Sequence, residues 1–261
     1  MEERDWLALA IGNSRLHWGW FRENTLVEVW HTDHLKISVR ANQLPHLFLH
    51  SRLVEQDKSN IPVYLASVVA TQTKCWQNYH KLNLIALEDI ELTNTYPTMG
   101  LDRALAVWSA VSTYQQPCLV IDGGTALTFT GVNREGKLIG GAILPGLRSQ
   151  LLNLKQKTAA LPEVELPKHL PPRWATDTDT AISSGILYMA IAGIHSYIAD
   201  WLRQFPQSQV VFTGGDAELL SQFLHQLHPE LSDQTLVEPD LVFNGINLVR
   251  QQRGSMKIRD I

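Results

Sequence analysis

Two stretches at an offset of 112 residues follow one plan. Ala10-Ile11-Gly12-Asn13-Ser14 and Asp122-Gly123-Gly124-Thr125-Ala126 each end an apolar run and turn on glycine, and Gly19 falls on Gly131 at the same offset. A third strand-like run follows each copy, Val27 to Trp30 in the first and Leu138 to Ile143 in the second. A strand, turn and strand that recur once in 261 residues restrict the chain to folds built of two similar α/β halves. The second copy, CLVIDGGTALTFTGV from Cys118 to Val132, carries the most chemistry. A buried strand would bring Asp122 to a glycine turn whose backbone N–H groups can surround an anion. The carboxylate could hold a metal travelling with that anion, and the Thr125 hydroxyl could donate to it. The same residues also suit a plain β-hairpin with a DGG turn, so the local pattern leaves both readings open.

Charge and composition exclude some partners. A net charge of −4, from 22 basic and 26 acidic residues, argues against a nucleic-acid binder that relies on bulk electrostatics. Cys75 and Cys118 form no CxxC pair and no Cys/His cluster at metal spacing, so a reducing compartment, the cytoplasm, is expected. The opening MEERDWLALAIGNS lacks the basic start and long apolar run of a secretory signal. No stretch approaches 18 consecutive apolar residues, so no membrane span is expected.

Leu7 to Ile11, Leu16 to Phe21 and Thr25 to Trp30 read as a three-stranded meander. Residues 33 to 56 are expected to contain helical material with a break at Pro45, and Val63 to Val69 reads as a buried parallel strand, Thr73 to His80 as a short helix and Asn83 to Leu87 as a short strand. Pro97 and Gly100 hold off a helix until Asp102, and Gln115 to Pro117 ends it. That break sets the seam: residues 1–114 form one half and 115–261 the other, with the terminal helix free to pack back on the first. In the second half, Leu147 to Thr158 and Ala181 to Trp201 read as helices around a proline-rich loop at 161–175, with Thr176 to Asp179 as the cap of the second. The strand Gln209 to Thr213 ends in Gly214-Gly215-Asp216-Ala217, a second candidate anion site at a helix start. A last helix spans Asp240 to Leu248, and residues after Gln251 are expected to fray.

No GxxxxGK[ST] and no GxGxxG is present, so neither a P-loop nor a dinucleotide fingerprint is supported. Two α/β halves with glycine hairpins fit instead the duplicated ribonuclease-H-like fold of actin-like ATPases and sugar kinases, with an active-site cleft between the halves. Five motifs in order then carry a specific resemblance. They are Ala10-Ile11-Gly12-Asn13-Ser14, Gly100-Leu101-Asp102-Arg103, Asp122-Gly123-Gly124-Thr125-Ala126, Gly140-Gly141-Ala142-Ile143-Leu144-Pro145-Gly146 and Thr213-Gly214-Gly215-Asp216-Ala217. The chain resembles the type III pantothenate kinases over nearly its whole length.

That resemblance implies ATP-dependent phosphorylation of pantothenate, the first step toward coenzyme A, in a cytoplasmic homodimer with no nucleic-acid or membrane partner. It implies Asp102 as the general base on the pantothenate hydroxyl. Gly100, Leu101, Arg103, Tyr96 and Thr178 would contact that substrate, and Gly12, Asn13, Ser14, Gly124 and Thr125 the nucleotide. Asp122 would be the metal-proximal carboxylate, with Mg²⁺ accompanying ATP and a monovalent cation, K⁺ or NH₄⁺, as a second cofactor. Gly215 and Asp216 would shape the nucleotide side.

The first loop departs from the family pattern. The family begins it with Asp, and this chain has Ala10, whose methyl group cannot ligate a metal. Metal handling would then rest on Asp122, the substrate phosphates and water, since Mg²⁺ commonly keeps several waters and one or two carboxylates. Two alternatives stay open: a weak or inactive homologue that binds nucleotide or pantothenate as a regulator, and a kinase of another small hydroxylated substrate.

Overall fold

The computed structural model describes residues 5–41, 44 and 61–259, with side chains described as far as residue 255. The chain divides into two compact units: Met1–Glu91 with Tyr96–Ser109 and Val242–Ile261, and Leu92–Thr95 with Ala110–Leu241.

In the first unit, β1 (Asp5–Ile11), β2 (Leu16–Arg22) and β3 (Thr25–Thr32) form an antiparallel meander, and β4 (Val63–Ser67) and β5 (Leu82–Leu84) extend it in parallel. The strand order is β3-β2-β1-β4-β5. Leu7, Leu9, Leu16, Trp18, Val63 and Trp76 are fully buried in its core. In the second unit, β6 (Cys118–Gly123), β7 (Ala126–Val132) and β8 (Leu138–Pro145) make the matching meander, and β9 (Gln209–Thr213) and β10 (Thr235–Val237) add in parallel. Its order, β8-β7-β6-β9-β10, is that of the first sheet.

The register sharpens the repeat. Ile11 pairs with Leu16 across four loop residues, whereas Gly123 pairs with Leu127 across three. The offset of 112 therefore drops to 111 in the second strand of the second copy. By register Gly131 corresponds to Trp20 rather than to Gly19: Trp20 faces Leu7, and Gly131 faces Leu119. Both sheets also carry a register shift at the same rung, between Trp20 and Phe21 and between Gly131 and Val132. A bulge bends its strand and increases the local twist, and its recurrence marks one β-unit used twice. Where the first sheet places a tryptophan, the second borrows one from a helix. A Cβ on Gly131 would collide with the Trp201 ring.

Helices α1 (Ala70–Lys74), α2 (Leu101–Tyr114), α3 (Leu147–Lys157), α4 (Thr178–Gln204), α5 (Ala217–Leu227) and α6 (Leu241–Arg259) complete the described structure. By length and apolarity α4 could cross a membrane, which the run-length reading of the sequence did not anticipate. Part of that apolarity is packed inside the second unit: Leu187, Ile191, Ile194 and Ile198 are fully buried in one core with Phe129, Val210, Phe212 and Phe223.

Several local expectations change. Residues 33–41 are not helical, and 42–43 and 45–56 of the stretch expected to contain helical material lie outside the described residues. The backbone of 33–41 is satisfied elsewhere: Gln72 Oε1 accepts from Leu35 N–H, Gln72 Nε2 donates to Leu35 O, and Val39 N–H donates to Cys75 O. Those three backbone groups are then not available for i to i+4 bonds. Helix α1 lies earlier than expected and gives way to turns after Lys74. The strand expected at 83–87 shortens to β5, and a 3₁₀ turn takes Leu87–Asp89. Strand β10 follows a 3₁₀ helix at Pro229–Gln234; three residues carry too little alternation to show in sequence. Helix α6 continues past Gln251 to Arg259, where fraying was expected. Arg253 Nη2 anchors it, donating to Leu84 O and Asp89 Oδ2 at 2.8 Å each.

Two predictions follow from this packing. Gly131→Ala should lower unfolding free energy by about 1–3 kcal/mol by displacing the Trp201 indole; an unchanged denaturant midpoint would refute the packing argument. The second concerns His17, opposite His31 across β2 and β3, with ring centroids 4.7 Å apart. Burial, then His31 and Arg15, lower its pKa from 6.5 to about 4. The unfolded chain therefore binds a proton that the folded chain refuses, and stability present above pH 6.5 drains as pH falls toward 4. Because water still reaches part of the ring, the loss should be about 1–2 kcal/mol. Urea unfolding between pH 7 and 5 should show it, and His17→Gln should flatten that slope; an equal slope in both proteins would contradict the assignment.

Candidate active site

The second unit's loop is built around Asp122. Strand β6 is buried except for this half-buried residue, which lies directly opposite Thr128 on β7 and Thr213 on β9. Opposed residues share a sheet face, so the carboxylate rises between two buried threonines. Three backbone turns close on it. Gly214 adopts φ +87°, a left-handed conformation that favours glycine, and a Cβ there would collide with Asp122 Oδ1. A Cβ on Gly124 would stand 3.2 Å from the same oxygen. The Asp216 N–H donates to Gly123 O at 2.8 Å, tying the start of α5 to the turn. On the other side Gly146 N–H and Ser149 Oγ both donate to Thr125 O, at 3.0 and 2.7 Å, and a Cβ on Gly146 would collide with Gly124 O.

The consequence is electrostatic. Helices α3 and α5 both begin against the 123–125 turn, and neither has a side-chain cap at its N-terminus. Uncapped first turns present free N–H donors and the positive end of the helix dipole, a setting that suits phosphate. Asp216, the residue before α5, is buried and turns its carboxylate to exposed Arg148, Nη2 to Oδ1 3.2 Å, instead of capping the helix. Gly215 has nothing within 4 Å of the place a side chain would fill, so the backbone there is approachable.

The first unit repeats the turn without the carboxylate. Ala10 lies opposite His17 on β2 and Ala66 on β4. Gly12 N–H donates to Arg15 O at 3.1 Å, and Gly12 O lies 2.8 Å from His34 Nε2, which must carry the proton because a carbonyl only accepts. Asn13 and Ser14 are exposed. The sequence reading missed His34; nothing in the loop motif signals a residue 22 positions away.

The Gly100-Leu101-Asp102-Arg103 motif sits at the head of α2. Gly100 O accepts from Ala104 N–H at 3.1 Å and opens the helix. Asp102 Oδ1 accepts the Arg103 N–H at 2.8 Å; a Cβ on Gly100 would lie 2.7 Å from this oxygen. Among the described residues Oδ2 makes no hydrogen bond or ion pair, so one carboxylate oxygen serves the helix start and the other remains available. Arg103 is buried at 8% exposure and donates from Nη1 to Tyr96 Oη at 3.0 Å. The structure thus brings Tyr96, Gly100, Asp102 and Arg103 together within the first unit. Leu101 is half-buried as the first residue of α2.

Thr178 is the exposed first residue of α4. The cap is Asp177, whose Oδ1 accepts Thr180 N–H at 2.9 Å; that hydrogen bond, first among its causes, lowers the Asp177 pKa. Within the second unit, Asp122, Gly124 and Thr125 gather with Gly214 and Gly146.

Comparison with known proteins identifies the family. A sequence model of the type III pantothenate kinases matches residues 6–200. A type III pantothenate kinase from Nostoc sp. is 43% identical over 95% of this chain and 95% of its own length. One from Synechocystis sp. is 42% identical over 94% and 90%, and one from Thermosynechococcus vestitus 38% over 98% and 94%. Among solved structures, a protein assigned to the Baf family of transcriptional activators from Campylobacter jejuni superposes with a TM-score of 0.62 at 19% identity, covering 95% of this chain and 99% of its own. A protein assigned as a 2-dehydro-3-deoxygalactonokinase from Sinorhizobium meliloti gives 0.54 at 11% identity, covering 95% and 98%. The fold is a duplicated ribonuclease-H-like α/β fold, and the chain belongs to the type III pantothenate kinase family.

Proposed function

We propose that this chain transfers the γ-phosphoryl group of ATP to pantothenate, giving 4′-phosphopantothenate and ADP. The observation that carries the reading is Asp102, held at the head of α2 with Oδ2 uncommitted and the buried Arg103–Tyr96 pair beside it. In the proposed step Asp102 Oδ2 takes the proton of the pantothenate hydroxyl, whose oxygen attacks the γ-phosphorus in line as the bond to ADP breaks. Gly100, Leu101, Arg103, Tyr96 and Thr178 bind and orient pantothenate; Arg103 is pre-set by its bond to Tyr96, which limits the entropy lost when it engages substrate.

Gly12, Asn13, Ser14, Gly124 and Thr125 present backbone and hydroxyl donors to the nucleotide phosphates. Asp122, opposite Thr128 and Thr213 on the neighbouring strands, offers oxygen ligands of the kind that suit Mg²⁺ bound largely through its waters and the phosphates. Bound there, Mg²⁺ would neutralise charge on the phosphoryl oxygens. A monovalent cation, K⁺ or NH₄⁺, belongs to the same proposal, as does a cytoplasmic location. So does a homodimer: exposed Met189 and Tyr197 on α4 and Trp174 before it are apolar surface of the kind subunits bury. The particle mass in solution tests it; a monomer at micromolar concentration would refute it. Ala10 favours a second reading, a weak kinase or a nucleotide- or pantothenate-binding regulator, and a kinase of another small hydroxylated substrate is the remaining alternative.

Purified protein with ATP, Mg²⁺ and a panel of small alcohols should phosphorylate pantothenate in preference to sugars; no transfer to pantothenate would overturn the proposal. Asp102→Asn should lower kcat by about 10²–10⁴ while keeping the unfolding midpoint, since Asn also serves a helix start. Wild-type turnover in that variant would eliminate the base role.

A further inference from the structure

Among the described residues, one group of metal-capable side chains lies apart from every motif above: His195, His228 and Glu230, all in the second unit. His195 projects from the middle of α4, His228 ends α5, and Glu230 lies in the first turn of the 3₁₀ helix at Pro229–Gln234. The imidazoles stack with centroids 3.8 Å apart and planes 16° from parallel. Glu230 Oε1 stands 3.4 Å from His228 Nδ1 and 3.9 Å from His195 Nε2. All three candidate ligand atoms fall within 4.8 Å of one another.

We infer that these three side chains form a transition-metal site, filled by Zn²⁺ or a similar borderline cation, that cross-links α4 to the end of α5. Tetrahedral Zn²⁺ with bonds of about 2.0–2.2 Å places its ligand atoms roughly 3.3–3.6 Å apart. The His228–Glu230 separation already meets that spacing, and the His195–Glu230 separation closes with a small turn of partly exposed side chains. Each imidazole lone pair lies in its own ring plane, so the stacked rings must twist toward one another to share an ion.

Backbone hydrogen bonds hold the chain under the site. His228 N–H donates to Leu224 O at 2.7 Å, Leu231 N–H donates to His228 O at 3.1 Å, and Pro229 restricts φ between the two ligands. Three protein ligands leave the fourth position for water. Two imidazole nitrogens select against Mg²⁺, which demands oxygen ligands, so the site is chemically separate from any Mg²⁺ that accompanies ATP. The bond it adds joins two helices whose buried faces share one core, and an ion bound only by the folded chain stabilises that chain by mass action.

The test is equilibrium dialysis of the full chain against Zn²⁺ alone, in excess Mg²⁺, with thermal unfolding and Co²⁺ absorption alongside. Wild type should bind one Zn²⁺ per chain, melt higher with the ion, and give the intense visible bands of tetrahedral Co²⁺. His195→Asn and Glu230→Gln should each weaken binding by about tenfold or more and abolish the melting shift, while ATP-dependent turnover stays unchanged. Glu230 is exposed, so its amide variant keeps the fold if the His195 variant does not. Absence of Zn²⁺ binding, or undiminished binding in the Glu230 variant, would overturn the site.

Discussion

The carboxylate of Asp122 can stand near the end of β6 only because residue 214 has no side chain, since a Cβ there would collide with its Oδ1. That approach fixes much of the second unit. Strand β9 must end where β6 ends, the chain must take a left-handed residue, and α5 must start at once, with Asp216 N–H bound to Gly123 O. On the far side the same turn demands Gly146 and the start of α3. Two uncapped helix ends and a glycine turn therefore lie around one carboxylate, a setting that backbone sterics fix.

The first unit shows what remains when that constraint is relaxed. Its hairpin has the same strands, the same bulge and the same sheet order, but its turn is one residue longer and its strand-end residue is Ala10. The turn is held from outside by His34 on Gly12 O instead of by a neighbouring glycine backbone. Duplication preserved the scaffold, and the chemistry diverged within it.

What the sequence revealed follows from this. The meander strands were legible because their apolar runs are long and bounded by turn residues, and the repeat was legible because both glycine turns survive. The rung-by-rung match was not: pairing Gly19 with Gly131 ignored a one-residue shortening that only hydrogen-bond register exposes, and the true counterpart of Gly131 is Trp20. Apolar spacing also says nothing about Gln72, which captures both backbone groups of Leu35 from another segment. In the site, Asp122, Asp102 and the glycines were readable as local motifs. The Arg103–Tyr96 bond, the seat at Gly214 and the His195–His228–Glu230 group were not, because each depends on where distant backbones meet.

The central claim is that one loop carboxylate serves where the family pattern has two. Its most direct test is the Mg²⁺ dependence of pantothenate phosphorylation in wild type, Asp122→Ala and Ala10→Asp. The account predicts that Asp122→Ala raises the Mg²⁺ needed for half-maximal rate by about tenfold or more, and that Ala10→Asp lowers it below wild type. An Asp122→Ala enzyme with the wild-type Mg²⁺ profile would contradict it.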